Sequence, residues 1–528
     1  MEMNNILHSY LSYSKVALIA VLLPAIAVAQ APPRNWFLLD PVADGFYGTS
    51  VERAYQELLK GKTPQTVIVA VLDGGVDTSH EDLVRNLWKN AREIPNNRVD
   101  DDNNGYVDDY YGWNFIGGEK GNVQYDQLEI TRLYKMMRDK YSGQSSVGVS
   151  DAGMQEYLEI KTDYELRSAE SKINYSYYKP FLDKVEALFA FAGTDNPSAE
   201  ELENLAGVPD SLQKVQIILT DYVKRGTTAR ELHEDLVEAV EMDKVGALYY
   251  FNPDYDSRWI VGDNYEDATE RYYGNSDVTG PTAMHGTHVA GIIGADRTNN
   301  IGINGVADHA KLLTLRCVPD GDERDKDVAN SIRYAVDMGA KVINMSFGKP
   351  YAYNKKAVDD AIKYAMERDV LLVHGAGNDA INVDVEDVFP NKYFEDGGVA
   401  NNFVNVGASR WDNKVAAFSD YGKKNVDVFA PGVAIYSTAP DNKYRNLQGT
   451  SMAAPIVSGI AAMLRSYYPS LTAPEIRDIL IKSCVKMKGK VMLPGEEEDQ
   501  TISWKNLCVS GGIVNAYKAI ELAEKRTR

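Results

Sequence analysis

Six stretches of the chain are apolar almost without interruption: TVIVAVLD (66–73), AKLLTLRC (310–317), AKVINMSF (340–347), DVLLVHGAG (369–377), FVNVGAS (403–409) and VDVFAPG (426–432). Runs this short and this rich in β-branched residues predict strands covered on both faces, because a strand with one wet face alternates apolar with polar side chains. Between them the period changes. KDVANSIRYAVDMG (326–339) and AVDDAIKYAMERD (357–369) repeat apolar residues at three- and four-residue intervals, the pattern of an amphipathic helix. Strand and helix in repeated alternation predict an α/β fold: a mostly parallel sheet with helices on both faces. Sites in such sheets lie beyond the carboxyl ends of the strands.

Residues 120–251 have another texture, polar and rich in Glu, Lys and Tyr, with helical spacing throughout. Met154, Tyr157, Ile160 and Tyr164 keep three- and four-residue intervals, as do Leu212, Val215, Leu219 and Tyr222, and Ser198 to Glu201 reads as a capping box. This stretch is expected to be an α-helical insertion, which divides the α/β domain into 30–119 and 252–528.

At the start of the chain, Lys15 precedes an apolar run from Val16 to Leu23, and Ala27-Val28-Ala29 offers small residues to a signal peptidase. Residues 1–29 are therefore read as a signal peptide, and the mature chain is expected in the periplasm or outside the cell. The run is shorter than the ~20 residues of a membrane-spanning helix, and no later segment is long and apolar enough to span. A net charge of −20 argues against nonspecific nucleic-acid binding, which draws its affinity from cations along the phosphates. With 44% hydrophobic residues the chain can bury a large core, and its three cysteines allow at most one bridge, such as Cys484 to Cys508.

The strand ends carry candidate chemistry. Asp73 closes the first strand in VLDGGVD, HGTHVAGIIGA (285–295) opens a helix with His285 and His288, and Ser451 in GTSMAAP (449–455) precedes another. Taken singly, an acid at a strand end is a turn or cap, a serine at a helix start is a cap, and a histidine pair at i, i+3 lacks the i, i+4 spacing and nearby acid of a helical zinc site. Pro455 is expected in the first turn of its helix, where a missing N–H costs nothing.

Together, in the order Asp, His, Ser, the three motifs resemble the active-site motifs of the subtilisin-like serine proteases. KVINMSFG (341–348) and HGAGN (374–378) resemble that family's substrate-binding strand and oxyanion-hole motifs, and the likeness covers roughly 36–118 and 252–520. The resemblance implies a serine endopeptidase acting on peptides or proteins, with Ser451 as nucleophile, His285 as base, Asp73 orienting it, and Asn378 with the Ser451 N–H stabilising the oxyanion. It further implies that Ser346, Phe347 and Gly348 pair with the substrate backbone, opposite Gly375, Ala376 and Gly377, while His288 is structural. The alternative is a catalytically inert peptide-binding protein on the same fold. A lipase or esterase would call for GxSxG and the order Ser, acid, His, and the sequence has neither.

Two features depart from the family pattern. About 43 residues separate residue 29 from Asp73, too few for the propeptide that chaperones most relatives, and 211 residues lie between Asp73 and His285. The second spacing roots the insertion beside two of the three motifs, so it is expected either to overhang the cleft or to decorate the surface. Before it, DDDNNGYVDD (100–109) alternates Asp100, Asp102 and Asn104 ahead of Gly105, like the first part of a calcium loop. Position twelve is Tyr111, so Asp108 or Asp109 is expected to complete a structural Ca²⁺ shell.

Overall fold

The computed structural model describes residues 32–141, 152–496 and 500–528, so the expected signal peptide lies outside the described residues. Apart from two short two-stranded ladders, the strands are β1 (Val67–Asp73), β2 (Gly112–Asn114), β3 (Ala310–Arg316), β4 (Val342–Met345), β5 (Leu371–Gly375), β6 (Phe403–Ser409), β7 (Val428–Pro431), a hairpin of β8 (Ile435–Ala439) and β9 (Lys443–Leu447), then β10 (Val485–Lys486) and β11 (Gly512–Ile513). Nine of them form one sheet in the order β10-β11-β7-β6-β5-β4-β1-β3-β2. Every neighbouring pair is parallel except β10 with β11. The six predicted strands are all present, and the helical patterns form α7 (Asp325–Asp337) and α8 (Lys355–Glu367) of the helices named below.

The apolar runs are continuous because both faces of the sheet are covered. On β1, Val67, Val69 and Val71 pack toward Ile456, Val457 and Ile460, whereas Ala70 and Leu72 face the cluster that holds Ile332, Ala335 and Ile362. Each of these Val, Leu and Ile side chains contributes roughly 1.5–3 kcal/mol on burial. β1 sits between β4 and β3, so Asp73 at its carboxyl end, Ser346 just after β4 and Gly375 at the end of β5 emerge side by side along one rim.

The stretch before His285 contains α1 (Glu129–Tyr141), α2 (Ala152–Ala192), α3 (Ala199–Asn204), α4 (Asp210–Lys224) and α5 (Ala229–Val245). α2 has 41 residues, about 60 Å at 1.5 Å per residue. The capping box at Ser198 and Glu201 is formed, and Thr228 with Glu231 makes a second one. At the root, Ile130, Leu133 and Met137 of α1 meet Met154, Tyr157, Ile160 and Tyr164 of α2, and Tyr351 and Tyr353 from beyond β4 pack against that cluster. Farther along, α2 runs beside α4 and α5. Cys484 and Cys508 are buried and unpaired.

Candidate active site

α6 (Met284–Gly294) begins against the end of β1. Both carboxylate oxygens of Asp73 lie 2.9 Å from His285 Nδ1, and Oδ1 also accepts the Gly74 N–H at 2.8 Å. The approach demands glycine at position 286, where a Cβ would stand 2.2 Å from the Gly75 carbonyl. The Asp73 side chain is 4% exposed and that of His285 42%, so the acid is sealed behind the ring while the ring faces the cleft. Packing around the imidazole works against its charged form, but the adjacent Asp73 carboxylate outweighs this by charge and hydrogen bond, and the His285 pKa is raised above its ordinary value.

Ser451 lies in the first turn of α9 (Thr450–Tyr467), whose N-cap is Gly449. Its hydroxyl donates to the Ser346 carbonyl at 3.2 Å. The first N–H groups of a helix have no intrahelical acceptor, which leaves the Ser451 N–H available to a ligand. Pro455 stands one turn in, not in the first turn as expected, and its missing N–H leaves the Ser451 carbonyl without a helical partner. The Ser346 hydroxyl fills that place at 2.9 Å.

Asn378, exposed after β5, is oriented from behind. Its Oδ1 accepts the Thr450 N–H at 2.9 Å and the Thr450 hydroxyl at 3.1 Å, while Thr450 Oγ1 accepts the Gly377 N–H at 3.2 Å. The amide nitrogen is thereby left as the free end, aimed away from Thr450. Gly377 sits at φ +120°, and a Cβ there would be 2.0 Å from Asp420 Oδ2. Asp420 is fully buried; its Oδ1 accepts the N–H groups of Asp379 and Ile381, its Oδ2 has no partner among the described residues, and burial pushes its carboxyl up to about 7.

Ser346 is buried, Phe347 half-buried and Gly348 exposed, so the segment opens to solvent toward Gly348. Opposite it, Gly375 packs against Thr450 and Ala376 is fully buried. His288 is turned away: its Nε2 lies 3.0 Å from the Ile435 carbonyl and 3.1 Å from that of Arg445, tying α6 to the β8–β9 hairpin, and burial lowers its pKa to about 4.

The acidic loop is arranged differently from the expectation. Glu93, Asp100 and Asp102 bring carboxylate oxygens within 4.8 Å of one another. Asp108 turns to the N–H groups of Asn97 and Arg98, Asp109 to Asn90, Asn104 and Tyr334, and Asn104 Oδ1 accepts the Tyr106 N–H. Asp100 and Asp102 of the expected shell are in the carboxylate cluster, and its third member comes from Glu93, upstream of the loop. Glu93 Oε1 accepts the N–H groups of Asp101 and Asp102, its Oε2 is buried without a partner among the described residues, and burial raises its pKa. An orphaned carboxylate oxygen beside two more fits a hard cation with oxygen ligands. Sequence reasoning also passed over Thr450, although it lies inside GTSMAAP, and Asp420, whose neighbourhood has no local signal.

Residues 64–503 match the subtilase family. A thermophilic serine proteinase of Bacillus sp. (strain AK1) is 36% identical over 241 residues, which cover 46% of this chain and 55% of that protein. The chain thus spans about half the length of that relative. Thermitase of Thermoactinomyces vulgaris is 37% identical over 238 residues, 45% of this chain and 75% of the relative. Among solved structures, proteases from Pseudoalteromonas arctica PAMC 21717 are similar over 47% of this chain and 78% of theirs, with 29% identity and a TM-score of 0.39.

Proposed function

The chain belongs to the subtilase family of serine-type endopeptidases, and on that footing we propose that it hydrolyses peptide bonds through an acyl-enzyme formed on Ser451. The observation that carries the reading is the 2.9 Å contact of both Asp73 oxygens with His285 Nδ1, which leaves Nε2 as the basic end of the ring. A serine hydroxyl is a poor nucleophile at neutral pH; an imidazole takes its proton, and a carboxylate holds the imidazole and its positive charge. The step requires Ser451 Oγ to exchange its bond to the Ser346 carbonyl for one to Nε2. The free amide nitrogen of Asn378 and the Ser451 N–H are the donors for the tetrahedral oxyanion.

The peptide backbone pairs with Ser346 to Gly348, with Gly375 to Gly377 lining the side-chain pocket opposite. Glu93, Asp100 and Asp102 would hold a structural Ca²⁺ ion, which when bound would neutralise their mutual repulsion. Residues 1–29 would direct export, and no helix among the described residues is long and apolar enough to cross a membrane. The inert alternative on the same fold has no support in these contacts. Ser451→Ala tests the assignment: hydrolysis of casein falls to the level of binding and oxyanion contacts alone, and phenylmethanesulfonyl fluoride labels Ser451 in the parent. Equal hydrolysis by the alanine variant would overturn it.

A further inference from the structure

The edge that begins at Ser346 is short, and what ends it is charged. The Ser451 hydroxyl at the Ser346 carbonyl fixes where the scissile residue lies. From there Phe347 and Gly348 extend the edge, but Lys349 no longer belongs to it: its N–H and carbonyl are both bonded to Phe389, at 3.0 and 2.9 Å. At one substrate residue per strand residue, and about 3.3 Å each, the open edge serves roughly three residues upstream of the cut.

Beyond that point the groove is filled from the insertion side. The Lys349 ammonium, 1% exposed, pairs with Glu129 of α1 and with Asp325 at 2.8 Å, and donates to the Glu323 carbonyl at 2.7 Å. Arg132 of α1 donates to the carbonyls of Asp322 at 3.2 Å and Glu323 at 3.3 Å. The Asp322 and Glu323 carbonyls beside Lys349 are therefore already taken. A longer upstream chain would have to break buried ion pairs, and removing one partner of such a pair is costly.

Next to Lys349 lies a cavity of about 10 Å³, room for one water-sized group, whose charged lining is Glu323, Asp325, Lys349, and Lys355, which is paired with Asp359 at 2.7 Å. Glu323 is 2% exposed, and its Oε1 is buried with no partner among the described residues. A residue with an orphaned carboxylate oxygen, lining a space the size of an ammonium group beside the end of the edge, has one natural complement in a peptide substrate. Resting on the peptidase reading above, we propose that Glu323 receives the free α-amino group of the substrate, so that bonds about three residues from an amino terminus are cut in preference to internal ones. Burial holds the Glu323 carboxyl up at about 8 despite the nearby Lys349 ammonium, and an arriving second ammonium would add to the charge that favours its ionised form.

The test uses the full chain and three peptides with one fluorogenic leaving group, 7-amino-4-methylcoumarin. The first is a tripeptide with a free amino terminus, the second its N-acetyl form, and the third the same tripeptide extended upstream by three alanines; each is made across a panel of residues beside the cut. The free-amine form is expected to show kcat/KM at least tenfold above both others, and Glu323→Gln to bring that ratio toward one by slowing the free-amine form. Rates equal within twofold in the parent would overturn the proposal, as would a folded Glu323→Gln that keeps the full preference. Labelling by phenylmethanesulfonyl fluoride is run alongside. Labelled Ser451 with equal rates defeats the amino-terminal site alone; no labelling and no hydrolysis of any peptide defeats the peptidase reading and this site with it.

Discussion

The Ser346 hydroxyl donates to the Ser451 carbonyl at 2.9 Å, taking the place that the ring nitrogen of Pro455 leaves empty. One side chain of the proposed substrate edge thus completes the helix that carries the proposed nucleophile, Ser451. Ser346→Ala leaves a carbonyl unpaired at a packed junction, which costs about 1–3 kcal/mol. The expected result is a lower melting temperature together with reduced kcat. Restoring an N–H with Pro455→Ala in the same chain should recover part of the loss, which chemical denaturation of the two variants measures.

The two bonds from Thr450 to Asn378 Oδ1 fix which end of that amide can donate. Asn378→Leu should lower kcat by about 10²–10³ with little change in KM, because the lost hydrogen bond is made only as charge develops; the magnitude is carried over from this family. A variant with raised KM and unchanged kcat would show that Asn378 binds ground state and transition state alike.

His285 has to be neutral to accept a proton, and its pKa is raised by Asp73. Activity in the parent should therefore fall, as pH decreases, through a value above the ordinary histidine pKa of about 6.5. Asp73→Asn removes the charge that raises it and leaves the desolvation that lowers it. The acid limb of kcat/KM should move to lower pH and kcat should drop by about 10⁴-fold. A limb that stays in place would mean that another group controls it.

Asp420, whose pKa is also raised, sets a pH dependence of stability. Its folded pKa, about 7, lies above the usual carboxylate value, so the folded state holds the proton more tightly than the unfolded chain and loses stability as pH rises from about 4 to about 7. Asp420→Asn keeps an oxygen for the Asp379 and Ile381 N–H groups and has no charge to bury. The difference in unfolding free energy between variant and parent should move in the variant's favour across that window by a few kcal/mol, on the order of the shift. Parallel stability curves from pH 4 to 8 would contradict this.

Chelation tests the acidic loop. A cation that binds only the folded protein stabilises it by mass action, so ethylene glycol tetraacetic acid should lower Tm in the parent. Glu93→Gln removes the charge of the group with the unpartnered oxygen, and should abolish most of that sensitivity. A parent Tm indifferent to chelator would exclude a bound ion at this loop.

Trimming the insertion tests whether it screens the cleft from large substrates. Removing all of 120–251 would strip the partners of buried Lys349 and Arg324, which pair with Glu129 and Asp126. The better cut is distal: the Ser171 hydroxyl lies 3.1 Å from the Asp243 carbonyl, so a short Gly-Ser linker can replace 173–241. The expected outcome is a rise in kcat/KM for folded proteins relative to a tetrapeptide reporter. An unchanged ratio in the folded trimmed variant would assign the distal helices another role.

The sheet, its helices and the positions of Asp73, His285 and Ser451 were legible because each rests on short-range rules. Strands covered on both faces need unbroken apolar runs, helices need a 3.6-residue period, and the three motifs keep their residues within a few positions of a strand end or helix start. The same locality made the capping box at Ser198 readable. What escaped depends on residues far apart in sequence. Glu93 reaches the acidic loop from seven positions upstream, Asp420 reaches Gly377 from another segment, and the Lys349 ammonium meets Glu129 across 220 residues. Pro455 shows the same division: its ring nitrogen is visible in the sequence, but only packing brings the Ser346 hydroxyl, 105 residues away, to the carbonyl it leaves bare. The chain's periodicity determines which elements form, because backbone hydrogen bonding and side-chain alternation act over a few residues. Tertiary structure alone decides which buried polar groups meet, because their cost in a dry interior is set by whichever partners the packed elements bring within about 3 Å.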